Sequence, residues 1–150
     1  MCSSDLKMSY NPKKALKLKN QLCFPLYAAS RKVIGAYTPL LKPLGITYTQ
    51  YIIFMVLWEQ DGITVGELGS RLYLDSGTLT PVLKKMESAG YVKRTRSQKD
   101  ERIVNVFLTD KGRKKQEEAR NIPLEMGSCL ALGENEMAEL KELLYLILEM

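Results

Sequence analysis

The chain has 150 residues, 45% hydrophobic and 26% charged, with a formal net charge of +5. That length supports one domain with a real core, without disulfides or metal. It contains no histidine, which excludes Ser-His-Asp and Cys-His nucleophile systems and every histidine-bearing metal site. Three scattered cysteines, at positions 2, 23 and 129, cannot fill a tetrahedral zinc site alone, so neither a metal nor a cofactor is expected. The longest apolar runs fall short of the ~20 residues of a membrane span, and no secretory pattern opens the chain. A cytoplasmic protein with free thiols is the expectation. Its basic field attracts polyanions; whether that means nucleic acid depends on where the charge sits.

In chain order, residues 1–12 are polar and aperiodic and read as a mobile tail ending in Asn11-Pro12. Apolar residues at 16, 22, 26, 29, 33 and 37 recur at helical steps. Pro25 interrupts them, and because proline costs almost nothing in a first turn but loses a hydrogen bond and clashes further in, the main helix should begin near Phe24, after a separate short helical segment. The stretch T-P-L-L-K-P-L-G-I-T, 38–47, ends that helix, and Thr47 or Thr49 can cap the next. Y-T-Q-Y-I-I-F-M-V-L-W-E is apolar on nearly all faces and hence deeply buried; Asp61-Gly62 closes it. Thr64 followed by Glu67 has capping-box spacing and opens a short helix over 64–72. Leu74-Asp75-Ser76-Gly77 is a turn with cap chemistry, and the helix after it stops at Gly90. Two alternating segments, Y-V-K-R-T-R and I-V-N-V-F-L, flank a charged tip and form a hairpin. A polar helix from Thr109 to about 120, a break at Pro123 and a last helix rich in leucine complete the chain. The fold class is mainly α with a small β-hairpin wing: a winged helix-turn-helix.

In such a unit the second helix enters the DNA major groove while the hairpin reaches the backbone or minor groove. Charge placement agrees. Lys84, Lys85, Lys93, Arg94, Arg96, Lys99 and Arg102 face only Glu87, Asp100 and Glu101 over this region. Ser76, Thr78 and Thr80 are short donors and acceptors placed for bases and phosphates. Lys84 and Lys85 suit phosphate, with Arg94 and Arg96 adding to the field. Arg102 suits the narrow, negative minor groove. Asp100 can brace the wing by pairing with Arg94 or Arg102.

The run D-E-R-I-V-N-V-F-L-T-D-K-G, 100–112, resembles the wing signature D-x-R-x-x-x-V-x-L-T-x-x-G of the MarR family of winged helix-turn-helix regulators. The resemblance extends from about residue 15 to the C-terminus. It implies an obligate homodimer on a pseudo-palindromic operator, with 13–46 and 109–150 as dimerisation helices around a DNA-binding lobe at 47–108. Within the family, N-Q-L-C-F-x-L-Y-A-A-S-R, A-Y-x-P-L-L, P-L-G-x-T-Y and L-D-S-G-T-L-T-P-V-L-K look like the organic-hydroperoxide-sensing, OhrR-like branch. That resemblance implies that Cys23 is the peroxidatic thiol, that Tyr37 and Tyr48 hydrogen-bond it, and that Tyr27 joins from the partner subunit. It departs from the pattern at Pro25, and at Lys17 and Lys19, which stand where acidic residues are usual.

The residue chemistry of Cys23 is compatible. A thiolate is the nucleophile toward a peroxide, and hydroxyl donors and a helix N-terminus favour it. The bland alternative is a small apolar core residue, which a lone cysteine on an apolar face usually is, with both tyrosines as amphipathic core edges. Cys129 lies where two-cysteine members carry a resolving thiol, so the resemblance implies an intersubunit Cys23–Cys129 disulfide. The alternative is a mixed disulfide with a low-molecular-weight thiol. Three rival functions stay open: a repressor controlled by a small phenolic or anionic ligand with Cys23 inert, a thiol peroxidase, and an architectural DNA binder without an effector.

Overall fold

The computed structural model describes residues 10–150; Cys2 and residues 1–9 of the expected tail lie outside the described residues. Asn11 and Pro12, read as the end of that tail, open a helix instead. The Asn11 side chain accepts from the Lys14 amide at 3.1 Å, and proline at the first helical position forfeits an N–H that had no partner anyway. Helix α1 therefore spans Pro12–Ala15, and a 3-10 turn, Leu18–Asn20, follows.

Helix α2 runs Cys23–Leu41. Pro25 falls in its first turn, as its chemistry requires. Pro39 lies inside the helix, two residues before its end, where the lost hydrogen bond and the crowding of the preceding turn affect only the last turn. The true stop is a 3-10 turn, Lys42–Leu44, and Gly45 at φ 68°, a left-handed conformation that glycine adopts without strain.

Helix α3, Tyr48–Glu59, starts on a reciprocal cap between Thr47 and Gln50 and buries Tyr51, Ile53, Phe54, Val56 and Leu57. A two-residue strand β1, Ile63–Thr64, leads through the Thr64–Glu67 capping box into α4, Val65–Leu72. Helix α5, Ser76–Ser88, is capped by Asp75 and carries Pro81 inside it. Its Leu79, Leu83 and Met86 share one buried face. Strands β2, Val92–Arg96, and β3, Val104–Leu108, form the expected hairpin. The sheet has a third strand that the pattern did not show: β1 pairs antiparallel with β3, giving the order β1-β3-β2. Two residues are too few for any period to register.

Helix α6, Asp110–Ala119, is followed by α7, Ile122–Cys129, with Pro123 in its first turn. The last helix, α8, is Glu134–Leu148. The core lies in the winged lobe, where Phe54, Leu57, Leu68, Leu79, Leu83 and Val106 are almost wholly buried. At the other end, α2 buries only Leu41 and α8 buries nothing. Leu26, Ile34, Leu140, Leu143 and Leu146 are exposed there. Among the described residues no single helix is long and apolar enough to cross a membrane.

The wing signature has a structural reason at each position. Asp100 accepts from the Arg102 backbone amide at 3.0 Å and its guanidinium at 3.2 Å. Val106 and Leu108 are buried. Thr109 caps α6 through the Gly112 amide at 3.1 Å and lies 2.6 Å from the Gly90 carbonyl. Gly112 sits so close to the Tyr91 carbonyl that a Cβ there would meet its oxygen at 2.2 Å.

Candidate DNA interface and redox site

Ser76, Thr80 and Lys84 are spaced four apart on α5, which puts them on one face. Arg94, Arg96 and Arg102 reach the same place from the wing, and together they line a groove of about 600 Å³. Thr64 and Gly66 at the start of α4, and Ile103 on the wing, also line it; the sequence reading had not assigned these. Thr78 and Lys85 are exposed but lie outside the groove.

The hydroxyls begin with local partners. Thr78 donates to Asp75 at 3.0 Å, and Thr80 donates to the Ser76 carbonyl at 2.7 Å. Hydrogen bonds from the Thr78 amide and hydroxyl hold the Asp75 carboxyl below the usual range, so it stays an anionic cap. Both threonine oxygens keep a lone pair for a base or water.

Arg94 is not free in the way the sequence implied. It donates to Glu87 through its backbone amide at 2.9 Å and its guanidinium at 2.7 and 3.0 Å. Those backbone and side-chain hydrogen bonds keep the Glu87 carboxyl below its ordinary range. The expected choice for Asp100, between Arg94 and Arg102, therefore falls to Arg102. Glu87 claims Arg94 because α5 and β2 run side by side where they meet, and the pair ties the reading helix to the wing. A second tie is Asp61, which accepts from the Leu108 amide and from Arg113, each at 2.8 Å.

Arg102 keeps an exposed side chain, 91% accessible, with Asp100 orienting its guanidinium. Its assignment to the minor groove predicts that Arg102→Ala weakens DNA binding by about 1–3 kcal/mol. Fluorescence anisotropy at fixed salt is the check, and an unchanged affinity would remove Arg102 from the interface.

At the other end of the chain, Cys23 is the first residue of α2, exposed, with no acidic residue in its turn. Tyr37 stands 14 residues further along the same helix, about 21 Å at 1.5 Å per residue. Its ring lies 4.8 Å from that of Tyr48 and 5.8 Å from Tyr51, centre to centre. Burial raises all three phenol pKa values above the ordinary 10, so each hydroxyl remains a donor at neutral pH. Tyr51, 3% exposed, was absent from the sequence reading, which treated its helix only as core.

Tyr27 lies one turn from Cys23 on α2. It is 60% exposed, and its hydroxyl accepts from Arg31 at 3.4 Å. Tyr27 is thus near Cys23 on the same helix, whereas helix rise alone puts Tyr37, with Tyr48 beside it, out of reach of Cys23 within one chain. Cys129, the last residue of α7, is exposed and carries a free thiol.

A family model described as transcriptional regulator SarA/Rot matches residues 36–119. The chain is 49% identical over 137 residues to the organic hydroperoxide resistance transcriptional regulator of Bacillus subtilis (strain 168), covering 89% of this chain and 91% of that protein. The fold matches reduced AbfR of Staphylococcus epidermidis bound to DNA with a TM-score of 0.78 at 39% identity, covering 91% of this chain and 94% of that one. The chain belongs to the MarR-type winged-helix transcriptional regulators. Its resemblance to the peroxide-sensing branch holds across nearly its full length. Disulfide-formed AbfR gives a lower TM-score, 0.64 at 39% identity, with 91% and 96% of the two chains covered.

Proposed function

We propose that the chain is a cytoplasmic, homodimeric repressor that holds a pseudo-palindromic operator when Cys23 is reduced and releases it when an organic hydroperoxide oxidises that thiol. What carries the reading is an exposed cysteine at the start of α2 and a tyrosine cluster at its far end, in a chain 49% identical to an organic hydroperoxide resistance regulator. A second copy resolves the separation. The uncovered apolar faces of α2 and α8 need a partner surface, and an antiparallel arrangement of two α2 helices brings Cys23 of one copy to Tyr37 and Tyr48 of the other.

The chemistry then needs no cofactor. The Cys23 thiolate attacks the terminal peroxide oxygen, the O–O bond breaks, and the departing alkoxide takes up a proton and leaves as the alcohol. Sulfur loses two electrons and becomes a sulfenic acid. Condensation with a second thiol, from Cys129 of the other subunit or from a small cellular thiol, releases water and leaves a disulfide. Either product adds bulk at the dimer helices and shifts the two reading helices off their half-site spacing. Ser76, Thr80, Lys84, Arg96 and Arg102 meet the DNA, and Arg94 and Asp100 brace the wing.

The test is the affinity of the reduced protein for a palindromic duplex that it has itself selected from a random pool. One equivalent of organic hydroperoxide lowers that affinity and a thiol reductant restores it. Repeated turnover of peroxide with no change in DNA binding would favour a thiol peroxidase.

A second reading rests on a cavity of about 450 Å³ whose lining includes Ile34, Thr38, Leu41, Lys42, Ile46 and Tyr48. It suits a phenolic or anionic ligand, and it predicts release by such a ligand with Cys23 changed to serine.

A further inference from the structure

Lys115 is the only charged residue buried among the described residues. A buried ammonium is costly unless its protons find acceptors. The Lys115 Nζ donates to the Leu44 carbonyl at 3.0 Å and to Glu118 at 2.6 Å. It also lies 5.6 Å from the centre of the Tyr91 ring, within the range of a cation–π contact.

These contacts join parts of the molecule that the function requires to communicate. Leu44 ends the 3-10 turn that prolongs α2, the helix that carries Cys23 and Tyr37. Tyr91 links α5 to the wing: its carbonyl accepts from the Thr109 amide at 3.0 Å, and its ring stands edge-on to Phe54 of α3 at 5.5 Å. Lys115 itself sits on α6, one turn after Gly112, whose carbonyl accepts from the Trp58 indole at 3.2 Å. The end of the sensing helix is thus tied by one ammonium to the helix whose start is clasped against the reading lobe.

We propose that Lys115 is the positioning residue that passes a displacement of α2 to the DNA-reading lobe. The inference rests on the peroxide reading of Cys23. When oxidation shifts α2, the Leu44 carbonyl moves with it, the Gly45 turn giving the pivot. The ammonium, held by Glu118 on its own helix, follows that carbonyl, and α6 carries the motion to Tyr91 and the α5–β2 junction. A neutral side chain of similar length fills the space but grips neither acceptor, so the two ends move independently.

The experiment uses the full chain, reduced and then treated with one equivalent of organic hydroperoxide, with the remaining Cys23 thiol titrated each time. Dissociation constants for the self-selected duplex are measured at fixed salt for wild type, Lys115→Met and Lys115→Arg. All three bind within about threefold of one another when reduced, a difference small beside allosteric couplings. Oxidation weakens wild type and Lys115→Arg by at least about tenfold, and Lys115→Met by less than about threefold, although its Cys23 is equally oxidised. Lys115→Met that releases DNA as wild type does would overturn the proposal. So would loss of affinity in both reduced variants, since Lys115 would then be packing alone. Wild type that stays bound with Cys23 oxidised would remove the peroxide reading, and this coupling with it.

Discussion

Changing Tyr37 and Tyr48 together to phenylalanine slows the oxidation of Cys23 by an organic hydroperoxide about 10- to 100-fold, the worth of hydrogen bonds to a charged group at ~1.5–3 kcal/mol. The rings, 4.8 Å apart, keep their packing, so operator affinity of the reduced protein stays within about twofold. Because burial holds both phenols above their ordinary pKa, they remain protonated donors through pH 9, and the rate deficit is the same across the neutral range. Mixed dimers then test the crossed arrangement. A Cys23→Ser subunit paired with a Tyr37→Phe, Tyr48→Phe subunit retains one complete site and oxidises its remaining Cys23 at the wild-type rate. With all three changes on one subunit and none on the other, the remaining Cys23 reacts slowly. The opposite pattern would place the tyrosines with the cysteine of their own chain.

Gly112→Ala costs about 3 kcal/mol of stability, the upper part of what overpacking usually brings. The added methyl meets the Tyr91 carbonyl oxygen at 2.2 Å and Leu108 at 3.0 Å, and the first of these is backbone that cannot rotate away. Tyr91 is also held by Thr109 and flanked by the Lys111 and Lys115 ammonium groups, so relief requires opening the α6–wing clasp. Gly127→Ala in α7 is the control. Nothing lies within 4 Å of a Cβ there, and alanine in a helix gains ~0.5–1 kcal/mol over glycine. Urea titrations of the two variants give the comparison. A stability loss at Gly112 no larger than about 0.5 kcal/mol, the size of an ordinary surface substitution, would show that the clasp yields easily.

Much of the winged lobe was legible because its signals are local. The Thr64–Glu67 box, the Asp75 cap, Gly90 at the end of α5 and the alternation of the two hairpin strands each act over a few residues, and the structure has all of them. The Thr109 cap on the Gly112 amide fixes the start of α6 in the same way. What escaped was decided by tertiary contact. Strand β1 is two residues long and exists only because β3 has a free edge. Glu87 looked like a stray negative charge against a basic surface, yet α5 and β2 bring it onto Arg94. Asp61 looked like a turn residue, but it holds both the Leu108 amide and Arg113. Lys115 read as one of many polar residues on α6 until the turn after α2 closed over it.

The redox site shows the same division. Pro25 marked the start of α2 because proline has few places in a helix, and Cys23 lies at that start. The proposed pairing of Cys23 with Tyr37 and Tyr48 is not a contact that one chain can make. A helix rises too slowly for residues 23 and 37 to meet, and no spacing in a single sequence shows which groups a second copy supplies. The apolar faces of α2 and α8 gave the need for a partner, not its register.

The most direct test of the account is the affinity of wild type and Cys23→Ser for the self-selected duplex, at one salt concentration, before and after one equivalent of organic hydroperoxide. The account predicts equal binding when reduced, at least about tenfold weakening of oxidised wild type, and no change in Cys23→Ser. Release of both proteins by the peroxide, or retention of both, would contradict it.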